Sequence, residues 1–236
     1  MADLPTKISK EVTDKFSVVS NSLRQQVKTN PKDRVTIEVG DVKQPDFYPQ
    51  VKINRWGTSE DTNEVNFSLR LKEDDYSGAT VETMGEVIKW SKGEREVHMY
   101  DRPDASEEGG FELEVLLKSK PASNVLEFTI QTKGLDFAYQ PELTPEEIAE
   151  GATRPPEVVG SYAAYHKTKG GMNDAAGMEY KTGKAFHLYR HRATDANNNG
   201  VWCDLHIDVN PDGSGLMTVT VPQNFLDTAI YPVSIK

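Results

Sequence analysis

The chain of 236 residues carries 37 acidic against 27 basic side chains, a net charge of -10, with 36% hydrophobic residues spread along its length. That balance excludes a broad basic surface for nucleic acid, and no apolar run approaches the ~20 residues of a membrane-spanning helix. The single cysteine, Cys203, excludes a disulfide framework and a cysteine-based zinc site.

The opening Met-Ala-Asp-Leu-Pro-Thr-Lys leads into no apolar stretch, so no secretory leader is expected. Over residues 5–30, Ile8, Val12, Phe16, Val19, Leu23 and Val27 recur at helical spacing. This narrow stripe predicts a helix, either an arm that docks on a partner subunit or one packed on its own domain. Ile8, Val12, Phe16, Val19 and Leu23 are its candidate partner-binding residues.

From residue 34 the period changes to two. Val35, Ile37 and Val39 alternate with Thr36 and Glu38, and Val65, Phe67, Leu69 and Leu71 with Asn66, Ser68 and Arg70. Phe111 to Leu117 and Leu126 to Ile130 repeat the pattern. Half-buried strands alternate in this way because successive side chains point to opposite faces. The breaks between runs are rich in Gly, Pro, Asn and Asp, as antiparallel turns require. Between the two β-rich halves, Thr144, Pro145 and Glu147 form a capping-box signature, and Gly151 supplies a stop. A short helix over 144–150 is predicted there. Strand patterns resume at Val158–His166, Ala185–Arg190, Val201–Val209, Leu216–Val221 and Ile230–Ile235, with an exposed loop over 167–184. The expected fold is therefore all-β: an antiparallel β-sandwich, jelly-roll-like, built as two tandem β-rich domains. The arm spans 1–30, the first domain 31–138, and the second 139–236 with its helix.

Three residue sets could carry binding chemistry. His187, His191 and His206 lie among outward carboxylates and could meet at a metal. Asp195, Asn197 and Asn199, followed by Gly200, match the first half of a calcium loop, but its twelfth position is His206 rather than Glu, so a hairpin turn explains the same residues. Trp202, on the polar side of its strand, and Tyr189 could stack on a glycan. Carboxylates such as Glu112, Glu114, Asp204 and Asp208 could pair, yet with 37 acidic residues such pairs arise by chance. No nucleophile elbow, P-loop or dinucleotide motif is present. No catalytic residue and no cofactor are assigned, and an enzyme is not expected. Cys203, in an alternating apolar run, reads as a buried small hydrophobe.

Several segments resemble a family of bacteriophage and metagenomic sequences found among phage structural genes. They are Asn30-Pro-Lys-Asp-Arg34, Gly40-Asp-Val-Lys-Gln-Pro-Asp46, Leu126-Glu-Phe-Thr-Ile-Gln-Thr-Lys-Gly-Leu-Asp-Phe137, Tyr139-Gln-Pro-Glu-Leu-Thr-Pro-Glu-Glu147, Val158-Val-Gly-Ser-Tyr-Ala-Ala-Tyr-His166, Tyr180-Lys-Thr-Gly-Lys-Ala-Phe-His-Leu-Tyr-Arg190, Pro222-Gln-Asn-Phe-Leu-Asp227 and Tyr231-Pro-Val233. The resemblance implies a virion component and supplies no catalytic residues. The expectation is a capsid decoration or head-stabilising protein, assembled in the host cytoplasm and located in the virion. Its partners would be capsid or neighbouring virion subunits and further copies of itself, with no nucleic acid and no membrane. The alternatives are a carbohydrate-binding β-sandwich module and a neck or tail component.

Overall fold

The computed structural model describes residues 2–28, 33–57, 62–106, 109–171 and 180–236. The first strands are β1 (Ser17–Val19), β2 (Ser22–Lys28), β3 (Val35–Val39), β4 (Gln50–Arg55) and β5 (Val65–Leu71). They run as a meander of antiparallel neighbours, each pairing with the next. The chain then crosses to a second sheet. There β6 (Thr80–Met84), β7 (Val87–Lys92), β8 (Arg95–Asp101) and β9 (Phe111–Leu117) form another meander. It returns through β10 (Val125–Lys133), which pairs with β5.

β11 (Leu135–Gln140), β12 (Ser161–His166) and β13 (Lys184–Leu188) make a small third sheet. β14 (Arg192–Thr194) and β15 (Gly200–Trp202) join the second sheet, and β16 (Asp204–Val209) and β17 (Ser214–Thr220) the first. The last strand, β18 (Val233–Ile235), fits between β9 and β14. Among the described residues three short helices punctuate the chain: α1 (Lys10–Lys15), α2 (Pro145–Ala149) and α3 (Gln223–Thr228).

The fold is all-β and antiparallel, a sandwich whose two large sheets have eight and seven strands among the described residues. Alternation carries it. Along β5, Val65, Phe67, Leu69 and Leu71 are buried while the residues between them are half-exposed. One continuous core collects these side chains with Trp90, Val97 and Met99 of the second sheet and Met217 and Val219 of β17. The outer face of the second sheet is a polar ladder, in which Glu82 faces Lys89, Lys89 faces His98 and His98 faces Glu114 across neighbouring strands.

Three expectations need adjustment. The 5–30 stripe is not one helix: only Lys10–Lys15 is helical, and the chain then turns through Ser20, at φ 54°, into the β1–β2 hairpin. The boundary at 138/139 is crossed by pairing in both large sheets, since β17 pairs with β10 and β18 with β9. Lastly, consecutive strands mostly lie side by side, and the chain passes between the two large sheets at β5–β6, β9–β10, β15–β16 and β17–β18. The run predicted over 201–209 breaks at Cys203, where the chain passes from the second sheet to the first. Cys203 is buried there, and its N–H donates to the His191 carbonyl at 2.9 Å. Part of the loop expected over 167–184, residues 172–179, lies outside the described residues.

Candidate functional site

The proposed docking stripe is part of the chain's own interior. Val12, Phe16 and Leu23 are buried in the core, Ile8 packs against it and Val19 is half-buried. The Phe16 ring meets Phe111 edge-on at 6.3 Å. These residues therefore offer no free face to a partner, which corrects the expectation of a docking arm. The reason is local: Ser9 ties the segment down, its N–H donating to Thr83 Oγ1 and its hydroxyl to the Gly85 carbonyl, both at 2.7 Å.

Asp195, Asn197 and Asn199 form the β14–β15 hairpin turn. Asp195 Oδ1 accepts the N–H groups of Asn197 and Asn199, each at 2.9 Å. Its Oδ2 accepts from Asn199 Nδ2 at 3.1 Å and from the Ile230 N–H at 3.3 Å. The Asn199 side-chain hydrogen bond leads the effects that hold this carboxyl below its usual range. A cation at these oxygens would have to displace the donors that build the turn, so the calcium-loop reading is replaced by an Asx-type turn.

The histidines do not converge. His187 Nε2 lies 2.6 Å from Ser161 Oγ, and its ring stacks on Tyr189 at 4.5 Å. Ser161 is fully buried, and its hydroxyl donates to the Val158 carbonyl at 2.6 Å, so Nε2 is the donor in the His187 bond. That arrangement locks a loop and leaves Ser161 no proton for His187 to accept. His191 encloses its Nδ1 without a hydrogen-bond partner. Burial pushes both rings down to about 4, with the Lys184 charge adding to the effect at His187. His206 stands on exposed β16, 3.1 Å from Asp208 Oδ2. Among the described residues no group of three or more His, Cys, Asp or Glu could hold a metal.

Two polar clusters form that the sequence pattern does not assemble. In the first, Glu64 accepts from Lys169 Nζ at 2.7 Å and Tyr180 OH at 2.6 Å, with His166 Nε2 at 3.2 Å. Burial alone would raise the Glu64 carboxyl, but these hydrogen bonds outweigh it and hold it low. In the second, Glu114 receives Tyr100 OH at 3.1 Å and the Ser234 hydroxyl, with Lys236 at 3.5 Å. Both clusters join residues distant in the chain, so no local spacing announces them. In each, donors surround the carboxylate, which makes them clamps between elements.

The less saturated surface lies at the β14–β15 hairpin. Arg192 and Trp202 face each other across the strands. The guanidinium carbons of Arg190 and Arg192 each lie 5.9 Å from the Trp202 ring centre. Gly200 leaves the space that Arg192 occupies, for a Cβ there would sit 2.6 Å from its Nε. Arg190 is partly committed, with Nε on the Cys203 carbonyl at 2.9 Å and Nη2 3.5 Å from Asp204. Among the described residues Arg192 is the one arginine whose head group has no ion pair or side-chain hydrogen bond. Of the two residues named for a glycan, Trp202 engages two arginines and Tyr189 engages His187.

Beside this surface stands the 141–157 excursion. Its helix α2 is sharply defined: Thr144 Oγ1 accepts the Glu147 N–H at 3.2 Å, and Glu147 Oε2 accepts the Thr144 N–H at 2.7 Å. Pro145 occupies the first turn, as predicted. Yet the helix buries none of its residues, and Ile148 is 59% exposed. The excursion returns to the body where the Arg190 N–H donates to the Glu157 carbonyl at 2.8 Å.

Compared with models of protein families, with curated proteins and with solved structures, the chain matches none.

Proposed function

We propose that the chain is a structural subunit of a bacteriophage particle, acting as a capsid decoration or head-stabilising protein by binding neighbouring subunits. The observation that carries this reading is the 141–157 excursion, which presents a capped helix with none of its residues buried. A helix of one turn or so is marginal in water, and a capped one presented in this way serves contacts outside the fold. Segments that resemble phage structural sequences run into it, from Leu126–Phe137 on β10 and β11 to Tyr139–Glu147 at the start of α2. Particle subunits act by repeated contacts of this kind, with recognition placed on projecting surface elements.

Mass spectrometry of particles purified from the phage that encodes the chain tests the reading. A copy number matching the shell lattice is the expected result. A low copy number moves the protein to the neck or tail, and its absence from washed particles overturns the proposal.

A further inference from the structure

Two features have charged groups without an ion pair among the described residues, and they are complementary. One is the Arg190–Trp202–Arg192 face, where Arg192 is exposed, fixed over Gly200 and without a carboxylate. The other is the α2 excursion, which holds five glutamates against a single arginine over 141–157. Glu142, Glu146 and Glu150 are exposed and form no ion pair among the described residues. Ile148 stands bare among them. Carboxylates with an apolar centre fit guanidiniums flanking an indole, both in charge and in character.

We propose that the α2 excursion of one copy docks on the Arg190–Trp202–Arg192 face of a second copy. The two features are neighbours on each chain, because the Glu157 carbonyl holds the Arg190 N–H. A two-fold arrangement therefore makes the contact twice, each copy giving its helix and receiving its partner's. Ile148 covers the Trp202 edge, and the flanking glutamates meet the guanidinium donors that Arg192 leaves open. The contact deepens the structural-subunit reading, since it specifies how copies would bind each other.

Sedimentation velocity on the full chain tests the proposal, at low and high salt. The expected result is concentration-dependent association that weakens as salt rises. Arg192→Glu alone and the pair Glu142→Arg with Glu150→Arg should each weaken association about tenfold or more. Neither change touches the capping box or the core, and unchanged urea midpoints would verify that both variants are folded. Mixing the two variants should restore association, because both contacts of the mixed dimer then join opposite charges. A chain that stays monomeric, association that neither variant affects, or a mixture that does not recover would each overturn the contact. The measurement needs no particle, so a monomeric chain found in particles would sink this contact and leave the proposed function standing.

Discussion

At the scale of single residues, the strongest polar commitment is Arg55 with Asp33. Both are buried, joined by Nε to Oδ1 at 2.7 Å and Nη2 to Oδ2 at 2.8 Å. Arg55 Nη1 also donates to the carbonyls of Lys184 and Ala185, which ties the first sheet to the small one. Removing one partner strands the other as a buried charge, so Arg55→Met should cost about 3–5 kcal/mol in urea unfolding. Replacing both, Arg55→Met with Asp33→Leu, should cost distinctly less; equal losses would refute the paired-charge account. Two histidines contribute to the loss of stability in acid. The unfolded chain protonates its imidazoles near 6.5, whereas His187 and His191 in the fold take a proton only near 4. Between those values the unfolded state holds more protons. Their contribution is therefore complete above about pH 6.5 and lost progressively as pH falls toward 4. His191→Phe should flatten this decline, recovering about 2 kcal/mol of the acid loss near pH 4. A slope identical to that of the parent protein would disprove the assignment.

At the scale of elements, the same sequence logic succeeded at α2 and failed at the N-terminus, for one physical reason. The capping box at Thr144 and Glu147 is satisfied within four residues, so its signal is local and complete. The stripe from Ile8 to Leu23 was read from spacing alone, and spacing does not record a turn. The Ser20–Asn21 reversal folds Leu23 back opposite Val18 in a hairpin, and Asn21 secures it by accepting the Leu4 N–H at 2.9 Å and donating to the Pro45 carbonyl at 3.0 Å. The polar Ser-Asn-Ser stretch was the available hint. The two elements should respond oppositely to mutation. Phe16→Ala empties a core position and should cost about 3–5 kcal/mol of global stability. Thr144→Ala should loosen α2 by about 1 kcal/mol, seen as faster amide exchange at Ile148 and Glu150, with the urea midpoint unchanged because the helix buries nothing. A global loss from Thr144→Ala would mean that α2 supports the sandwich after all.

At the scale of the whole molecule, strand existence was legible and strand partnership was not. Alternation along Val65–Leu71 or Phe111–Leu117 belongs to each segment's own side chains. That Val233–Ile235 completes a sheet beside Phe111–Leu117 depends on residues more than a hundred positions away, which no periodicity encodes. The Arg192–Trp202 pairing is hidden in the same way: Trp202 stands out in the sequence and Arg192 does not, because their adjacency comes from register. This interleaving has a thermodynamic consequence. Val233 and Ile235 are buried in the common core, and β17 supplies β10 with its second neighbour. A fragment of residues 31–138 would lose β17 and β18 together and expose Phe128, Ile130, Val115 and Leu117, all buried in the complete chain. Expressed alone it should remain unfolded, without a cooperative thermal transition. The complete chain should melt in one transition whether followed by far-ultraviolet circular dichroism or by tryptophan fluorescence, whose reporters Trp56, Trp90 and Trp202 sit in both halves. Two separated transitions, or a fragment that melts cooperatively, would restore the tandem-domain description; one coincident transition places the unit of folding at the level of the interleaved sandwich.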